Sequence, residues 1–418
     1  MSNCTPESLR VIIPVGGIAK RLMPLTAEIS KACIRLVNTP LIEISLLPLA
    51  RQGIKNFIFG VKGYKNYQSL HDHFESGIGF SAKYGIDPRV HIKYQPNFED
   101  YGSADSARIN MEYYDVRNPV FAVQGDNIFD INIQKILNFH REKEAFMTIG
   151  LMSVENVKGY GIADIDNEMR ISRFVEKPAP NESPSHLANT GLYLINPELR
   201  TVFKEEAVQE MIRKKKQLDF GYDLIPYLVK TGRAIYGYAL NGAWYDVGTP
   251  ERYLDAMTGI LHGDLKSLQD FGGRISEDAT VWIQGESSES IQRRKTIVKK
   301  IREGKILVEG SVLIGRHCHI SDGAIIVNSC IDNYTRIGPN VIIEKSAVMD
   351  RSTIDENCEI RRSIIGRHTT IGRSSKILDM SIVSDDITIN EHCLLKGTSV
   401  YPHSQIPKNR SLEHQIVK

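Results

Sequence analysis

Near its start the chain reads V-I-I-P-V-G-G-I-A-K-R-L-M-P-L-T, an apolar run that ends in Gly16 and Gly17 and is followed by Lys20, Arg21 and Lys31. A strand that opens into paired glycines exposes backbone N–H groups, and cations just beyond it complete a cradle for a polyphosphate. A tight strand-to-helix connection with a solvated basic rim would read the same way, so the turn alone does not decide. Two later stretches do more: F-A-V-Q-G-D-N carries Asp126 and W-Y-D-V-G-T carries Asp246. Together they point to an enzyme that handles nucleotides.

The elements that must position these residues fall into two halves. From Val11 to about Ala256, short apolar runs alternate with longer helical stretches, the pattern of a doubly wound, Rossmann-like α/β domain. Strands are expected at V-I-I-P-V, N-F-I-F-G-V, V-H-I-K-Y, V-F-A-V-Q-G, F-M-T-I-G-L, L-Y-L-I and A-I-Y-G-Y, with helices over Leu41 to Gln52 and Ile131 to Glu144. Pro14 cannot donate to a ladder and belongs near its strand's end.

From Ile314 an aliphatic residue recurs about every sixth position: Ile314, Ile320, Ile326, Ile331, Ile337, Ile343, Val348, Ile354, Ile360, Ile365, Ile371 and Ile377. A hexapeptide period marks a parallel β-helix, and three hexads per coil give roughly five coils up to about Pro402. The expected boundaries are a first domain over 1–260, a linker over 261–305, the coil over 306–405 and a tail over 406–418. Within the linker, Arg293, Arg294, Lys295, Lys299 and Lys300 read as the solvated face of a helix, whose Ile291, Ile297, Val298 and Ile301 form a stripe for docking.

Composition narrows the class. A chain of 418 residues exceeds what one core normally serves, and its net charge of +2 selects no partner. No apolar stretch is long enough for a membrane span and the start M-S-N-C-T-P-E-S lacks a secretory pattern, so a cytoplasmic protein without membrane or nucleic-acid partners is expected. Cys4, Cys33, Cys318, Cys330, Cys358 and Cys393 never form C-x-x-C and read as small buried hydrophobes.

The glycine turn, Y-G-S-A-D, Q-G-D-N, V-E-K-P, N-T-G-L-Y and W-Y-D-V-G-T-P-E-R-Y, in that order, resemble the sugar-1-phosphate nucleotidylyltransferases of the two-domain kind that carries a C-terminal left-handed β-helix. The resemblance spans nearly the whole chain. It implies transfer of a nucleoside monophosphate from a nucleoside triphosphate to a hexose 1-phosphate, with magnesium as cofactor. In the family's pattern Asp126 and Asp246 hold the metal, Arg21 grips the leaving phosphates, Lys31 neutralises the triphosphate and Lys177 holds the sugar phosphate. Gly16, Gly17 and Lys20 lie beside the phosphates, Gln95 bonds the base, and Gly102 and Ser103 lie where base and backbone come close. Glu176 and Asn189 bond sugar hydroxyls, while Gly161 lets the backbone approach the ring. The chemistry agrees with these residue types, because two anions must meet at the α-phosphorus and catalysis is mainly positioning and charge neutralisation. Asp126 in a G-D-N triplet also suits a tight turn, and Asp105 suits the start of a helix.

The chain departs from the family's G-G-x-G-T-R-L and P-K-P: Ala19 replaces glycine, Lys20 replaces threonine, and Ser30 and Ala32 replace both prolines. An alanine where the backbone needs a positive φ would strain the turn. The altered turn motivates a second reading, a catalytically weak regulatory subunit that binds nucleotide sugar. A third is bifunctionality, with His317, His319, His368 or His392 as bases for acyl transfer in the coils. The base and sugar stay open: Gln95 suits uracil or thymine, Y-G-S-A-D also resembles adenylyl-transferring relatives, and guanylyl transfer to mannose is common in this architecture. The coil is expected to join subunits into a homo-oligomer and to contribute nothing to the chemistry.

Overall fold

The computed structural model describes residues 5–96, 99–276 and 280–418. They divide into two compact units, Met1–Gly17 with Ile42–Asp246, and Ile18–Leu41 with Val247–Lys418.

In the first unit four parallel strands lie side by side, Val120–Val123, Arg10–Val15, Asn56–Val61 and His91–Pro96. Val11, Ile12 and Ile13 are buried in succession, as a strand covered on both faces requires. Pro14 stands next to last in its strand, beyond the three residues that pair with Val120–Ala122, so its missing N–H costs that ladder nothing. Leu187–Ile195 then runs antiparallel to both Val120–Val123 and Met147–Ser153, and it also pairs with Gly161–Ile165. Ile171–Glu176 and Ile235–Ala239 complete a nine-stranded mixed sheet. All seven strands expected from pattern form. The helices form as Leu41–Arg51 and Ile133–Glu142, the second capped by Asn132, whose side chain accepts the Lys135 N–H at 2.9 Å.

In the second unit the sixth-position aliphatics become three internal columns. One runs Ile326, Ile343, Ile360, Ile377, Leu395, Leu412; a second runs Ile320, Ile337, Ile354, Ile371, Ile389, Ile406. The third runs Ile314, Ile331, Val348, Ile365, Val383, Val400, Val417. Every aliphatic of the sixth-position series is at most 2% exposed; each such burial contributes roughly 2 kcal/mol. The strands form three parallel sheets of eight, seven and six strands, a parallel β-helix. Its corners use left-handed residues: His317, Tyr334, Arg351 and His368 at one, Asn340, Asn357, Ser374 and His392 at another, all with φ between 54° and 59°. Asn and His tolerate this region better than most side chains.

The coil is longer than its hexads suggest. Val281–Ile283, inside the stretch read as a linker, pairs with Val312–Ile314 as an outer strand. The helix Ser288–Arg302 docks Ile297 on the same core, with Val298 and Ile301 beside it. The expected tail is a further part of the coil, because Ser411–Glu413 and Ile416–Val417 extend two of the sheets. The compact unit that holds the coil takes in Val247–Lys418 together with Ile18–Leu41. Cys318, Cys330, Cys358 and Cys393 are buried, Cys33 is half-buried, and Cys4 lies outside the described residues. Among the described residues no helix is long and apolar enough to cross a membrane.

Candidate functional site

The strand Val120–Val123 is buried throughout and leaves the sheet through a turn closed by the Asn127 N–H on the Gln124 carbonyl at 3.2 Å. A Cβ on Gly125 would stand 3.2 Å from the Ile13 methyl, so a side chain there would need that neighbour to give by a few tenths of an ångström. After the turn, Asn127–Phe129 pairs antiparallel with Trp244–Asp246, and Asp246 falls opposite Asn127. That register sets the backbone of Asp246 opposite the residue that follows Asp126 in the chain. Asp126 is both the turn residue and a site candidate. The Asn127 Oδ1 is buried with no hydrogen-bond partner among the described residues, and a Cβ on Gly191, whose φ is 75°, would come within 2.6 Å of its Nδ2. Oxygen donors so arranged fit magnesium, which takes one or two carboxylates and fills its other positions with water and phosphate oxygens. Among the described residues no group of three or more His, Cys, Asp or Glu is gathered for a metal.

A second cluster forms at the end of Arg10–Val15. A Cβ on Gly16 would meet the Lys62 Cβ at 3.1 Å, and Lys62 donates its N–H to the Val15 carbonyl at 2.9 Å. The Lys62 ammonium bonds the Asp100 carbonyl, while the Asp100 Oδ1 accepts the Gly102 N–H at 2.8 Å. Gly102, with φ 144°, leaves no room for a side chain: a Cβ would be 2.7 Å from the Asp219 Oδ1. Ser103 donates both its N–H and its hydroxyl to that same oxygen, at 2.9 and 3.1 Å. Gln95 lies half-buried on the edge strand, opposite Gly60. Asp105 is fully buried in the first turn of the helix Ser103–Tyr113, where it accepts the Tyr101 N–H at 3.1 Å and the Arg108 Nε–H at 2.7 Å. Its helix-start role is sufficient.

The third cluster gathers the residues expected to face the sugar. Gly161 pairs with Glu176, and a Cβ on either Gly161 or Gly221 would overlap the Glu176 carboxylate. Burial pushes the Glu176 pKa up, and the Lys177 ammonium, 3.4 Å away, opposes that shift only in part. Burial acts against the Lys177 charge as well, but the Tyr222 hydroxyl at 3.2 Å and the Glu176 carboxylate outweigh it and raise its pKa. Lys177 also lies 4.8 Å over the Tyr222 ring and holds a φ of 48°. The Asn189 Nδ2 donates to the Tyr193 hydroxyl at 2.9 Å, and Tyr193 stacks on Phe220 at 4.3 Å.

Lys20, Arg21 and Lys31 stand in the loop that belongs to the second unit. Single 3-10 turns, Lys20–Leu22 and Lys31–Cys33, carry them, with Lys20 and Arg21 exposed and Lys31 half-buried; Gly17, which ends the first unit's opening segment, is exposed. Ala19 sits at φ 51°, ψ 46°, in the left-handed region expected to strain an alanine. In the coil, His317, His368 and His392 are corner residues, and His317 stacks on Tyr334 at 4.9 Å. That architectural use accounts for three of the four histidines considered for acyl transfer.

Sequence reasoning passed over Asp219, Gly221 and Tyr222, and also Lys62, Asp100 and Asn127. The first three had a signal: D-F-G-Y-D sets a glycine between two aromatics and two carboxylates. Lys62 and Asp100 had none beyond their positions after strands.

A family model described as nucleotidyl transferase matches residues 10–263, and one described as GMPPB C-terminal domain matches residues 308–417. The chain is 27% identical over 363 residues to a UTP–glucose-1-phosphate uridylyltransferase of Synechocystis, covering 83% of this chain and 89% of the relative. It is 26% identical over 365 residues to a glucose-1-phosphate adenylyltransferase of Bacillus mycoides, covering 83% and 93%. A solved structure from Bacillus anthracis, assigned as a glucose-1-phosphate thymidylyltransferase and holding a sucrose, matches with a TM-score of 0.52 at 22% identity, over 64% of this chain and 98% of that one. The last likeness concerns the fold.

Proposed function

The chain belongs to the nucleotidyl transferase family, and from that membership we propose that it transfers a nucleoside monophosphate from a nucleoside triphosphate to a hexose 1-phosphate, releasing pyrophosphate. The observation that supports the reading is the register of Asp246 with Asn127, which pairs the strand carrying Asp246 with the strand that follows Asp126. Asp126 and Asp246 would hold a magnesium ion, which when bound neutralises charge at the reacting phosphates. Lys177 holds the sugar phosphate through its ammonium, and the half-buried Glu176 and Asn189 orient the sugar hydroxyls. Gly16 and Gly102 make the close turns that border the nucleotide, with Ser103 beside them and Gln95 on the base. Arg21 and Lys31, with Lys20, bind the triphosphate and steady the departing pyrophosphate. We also propose that the coil assembles the protein into a homo-oligomer.

The regulatory reading is favoured by one observation, the left-handed Ala19 in the phosphate turn. A matrix of nucleoside triphosphates against hexose 1-phosphates, scored by pyrophosphate release with and without a chelator, separates the two. Turnover with one pair, lost on chelation and restored by magnesium, supports the enzyme. Silence across the matrix with intact nucleotide-sugar binding supports the regulatory subunit.

A further inference from the structure

The loop Ile18–Leu41, which carries Lys20, Arg21 and Lys31, is built into the unit of the coil and is fastened there along its length. It ends in a tight hairpin, Arg35–Leu36 against Thr39–Pro40, whose turn residues Val37 and Asn38 hold φ of 44° and 62°. A β-branched residue in that region is strained and persists only where its surroundings over-determine it. Coil residues supply those surroundings. Arg35 makes a two-pronged bond to Asp332, Nη2 to Oδ1 at 3.0 Å and Nε to Oδ2, and the Asp332 side chain is 2% exposed. Removing one partner of such a pair leaves a buried charge uncompensated. The Asn38 Nδ2 donates to Gln284 Oε1 at 2.9 Å, and the Cys330 Sγ–H donates to Asn38 Oδ1 at 3.0 Å. The Tyr253 hydroxyl donates to the Arg35 carbonyl at 2.6 Å. Closer to the cations, the Ser384 hydroxyl donates to the Pro24 carbonyl at 3.1 Å, and His403 meets Glu28 at 3.0 Å. Anchors thus lie on both sides of Lys31 in the chain, and the first of them follows Arg21 within a few residues.

We propose that Arg35 and Asp332 are positioning residues: their bond fastens the loop to the coil and so sets the affinity for the nucleoside triphosphate without touching it. The inference rests on the triphosphate role given above to Arg21 and Lys31. It replaces the expectation that the coil contributes nothing to the chemistry.

The test compares Asp332→Asn, the milder Ser384→Ala, and Arg361→Ala, whose partners Glu344 and Glu359 lie on a different sheet of the coil from the anchor Cys330. Hydrogen exchange is read on the peptide covering residues 18–34, and KM is measured with each substrate varied in turn. In Asp332→Asn, exchange of that peptide and KM for the triphosphate should each rise about tenfold, with KM for the sugar phosphate within about twofold of the parent. Ser384→Ala should give the same split at roughly threefold, and Arg361→Ala should give neither. Should Asp332→Asn fail to fold, Ser384→Ala decides. Unchanged loop exchange, equal KM rises for both substrates, or the same split in Arg361→Ala overturns the proposal while the parent's activity stands. A parent silent with every substrate pair defeats the proposed function itself, and this proposal with it.

Discussion

The two units hold themselves together in different ways, and the difference determines what a substitution in each one does. In the coil every strand but the outermost pairs with strands one turn before and after, so the isoleucine columns are sums of nearest-neighbour contacts. Damage there is local in chemistry and is read mainly as stability. In the sheet unit the decisive contacts join distant stretches: Asp246 meets Asn127, Gly221 packs on Glu176, and Ser103 meets Asp219. There a single side chain carries a function that no neighbour repeats.

The largest contrast should come from the carboxylates. Asp126→Ala and Asp246→Ala should each lower turnover by about 10³-fold or more while leaving circular dichroism unchanged, since each removes an oxygen donor at the reacting phosphates. Near-normal rates in both would sink the site. The coil's counterpart is Ile354→Ala, at 1% exposure between Ile337 and Ile371. It should cost about 2–5 kcal/mol in denaturant unfolding, with kcat unchanged below the melting temperature. A loss of kcat without a loss of stability would break the comparison.

The same contrast explains what the sequence made legible. Coil columns and parallel strands announce themselves because period and unbroken apolar runs are local properties. The strands Gly161–Ile165 and Ile171–Glu176 were not visible, because the exposed Arg173, the half-buried Asp164 and positions like them interrupt any apolar run. The outer strand Val281–Ile283 has no hexad neighbour in sequence; the helix Ser288–Arg302 stands between it and the strand it pairs with. Asp126, Asp246, Glu176 and Lys177 were found through motif resemblance, whereas Asp219 and Tyr222 depend on where a loop returns. The assignment of Ile18–Leu41 to the coil's unit could not be read at all, since Arg35 and Asp332 carry no pattern that links them.

A test within the sheet unit concerns Glu43, which lies 5% exposed beneath His73 at 2.7 Å, Lys83 at 2.5 Å and Tyr84 at 2.6 Å. Burial raises its pKa, but these bonds outweigh it and bring the value from 4.5 down to about 2. A folded pKa below the unfolded one contributes stability that is complete above the unfolded value and is lost as pH falls through the folded one. Glu43→Gln should therefore cost about 3 kcal/mol at pH 7, with the gap roughly halved near pH 3 and closing below pH 2. A gap that widens on acidification would reverse the assignment.

Next in size is the division of cations. Lys177→Ala should raise KM for the sugar phosphate about 30-fold and Arg21→Ala should do so for the triphosphate, because each charge serves a different substrate. Equal losses for both substrates in each variant would argue against that division, and would place Arg21 and Lys177 on one shared anion.

The smallest effect tests the loop at Ala19. At φ 51° an alanine carries a strain of about 1–2 kcal/mol that glycine does not. Glycine in turn loses about 0.4–1 kcal/mol through its freer unfolded chain. The two oppose, and strain is the larger, so Ala19→Gly should stabilise the protein by roughly 0.5 kcal/mol and leave activity equal or higher. Lys20→Thr in that background then asks whether the extra cation compensates for the altered turn: a fall in triphosphate affinity makes Lys20 a working phosphate ligand. A destabilised Ala19→Gly would mean that the alanine methyl makes a packing contact worth more than its strain, and the turn would then owe its course to the coil that holds it.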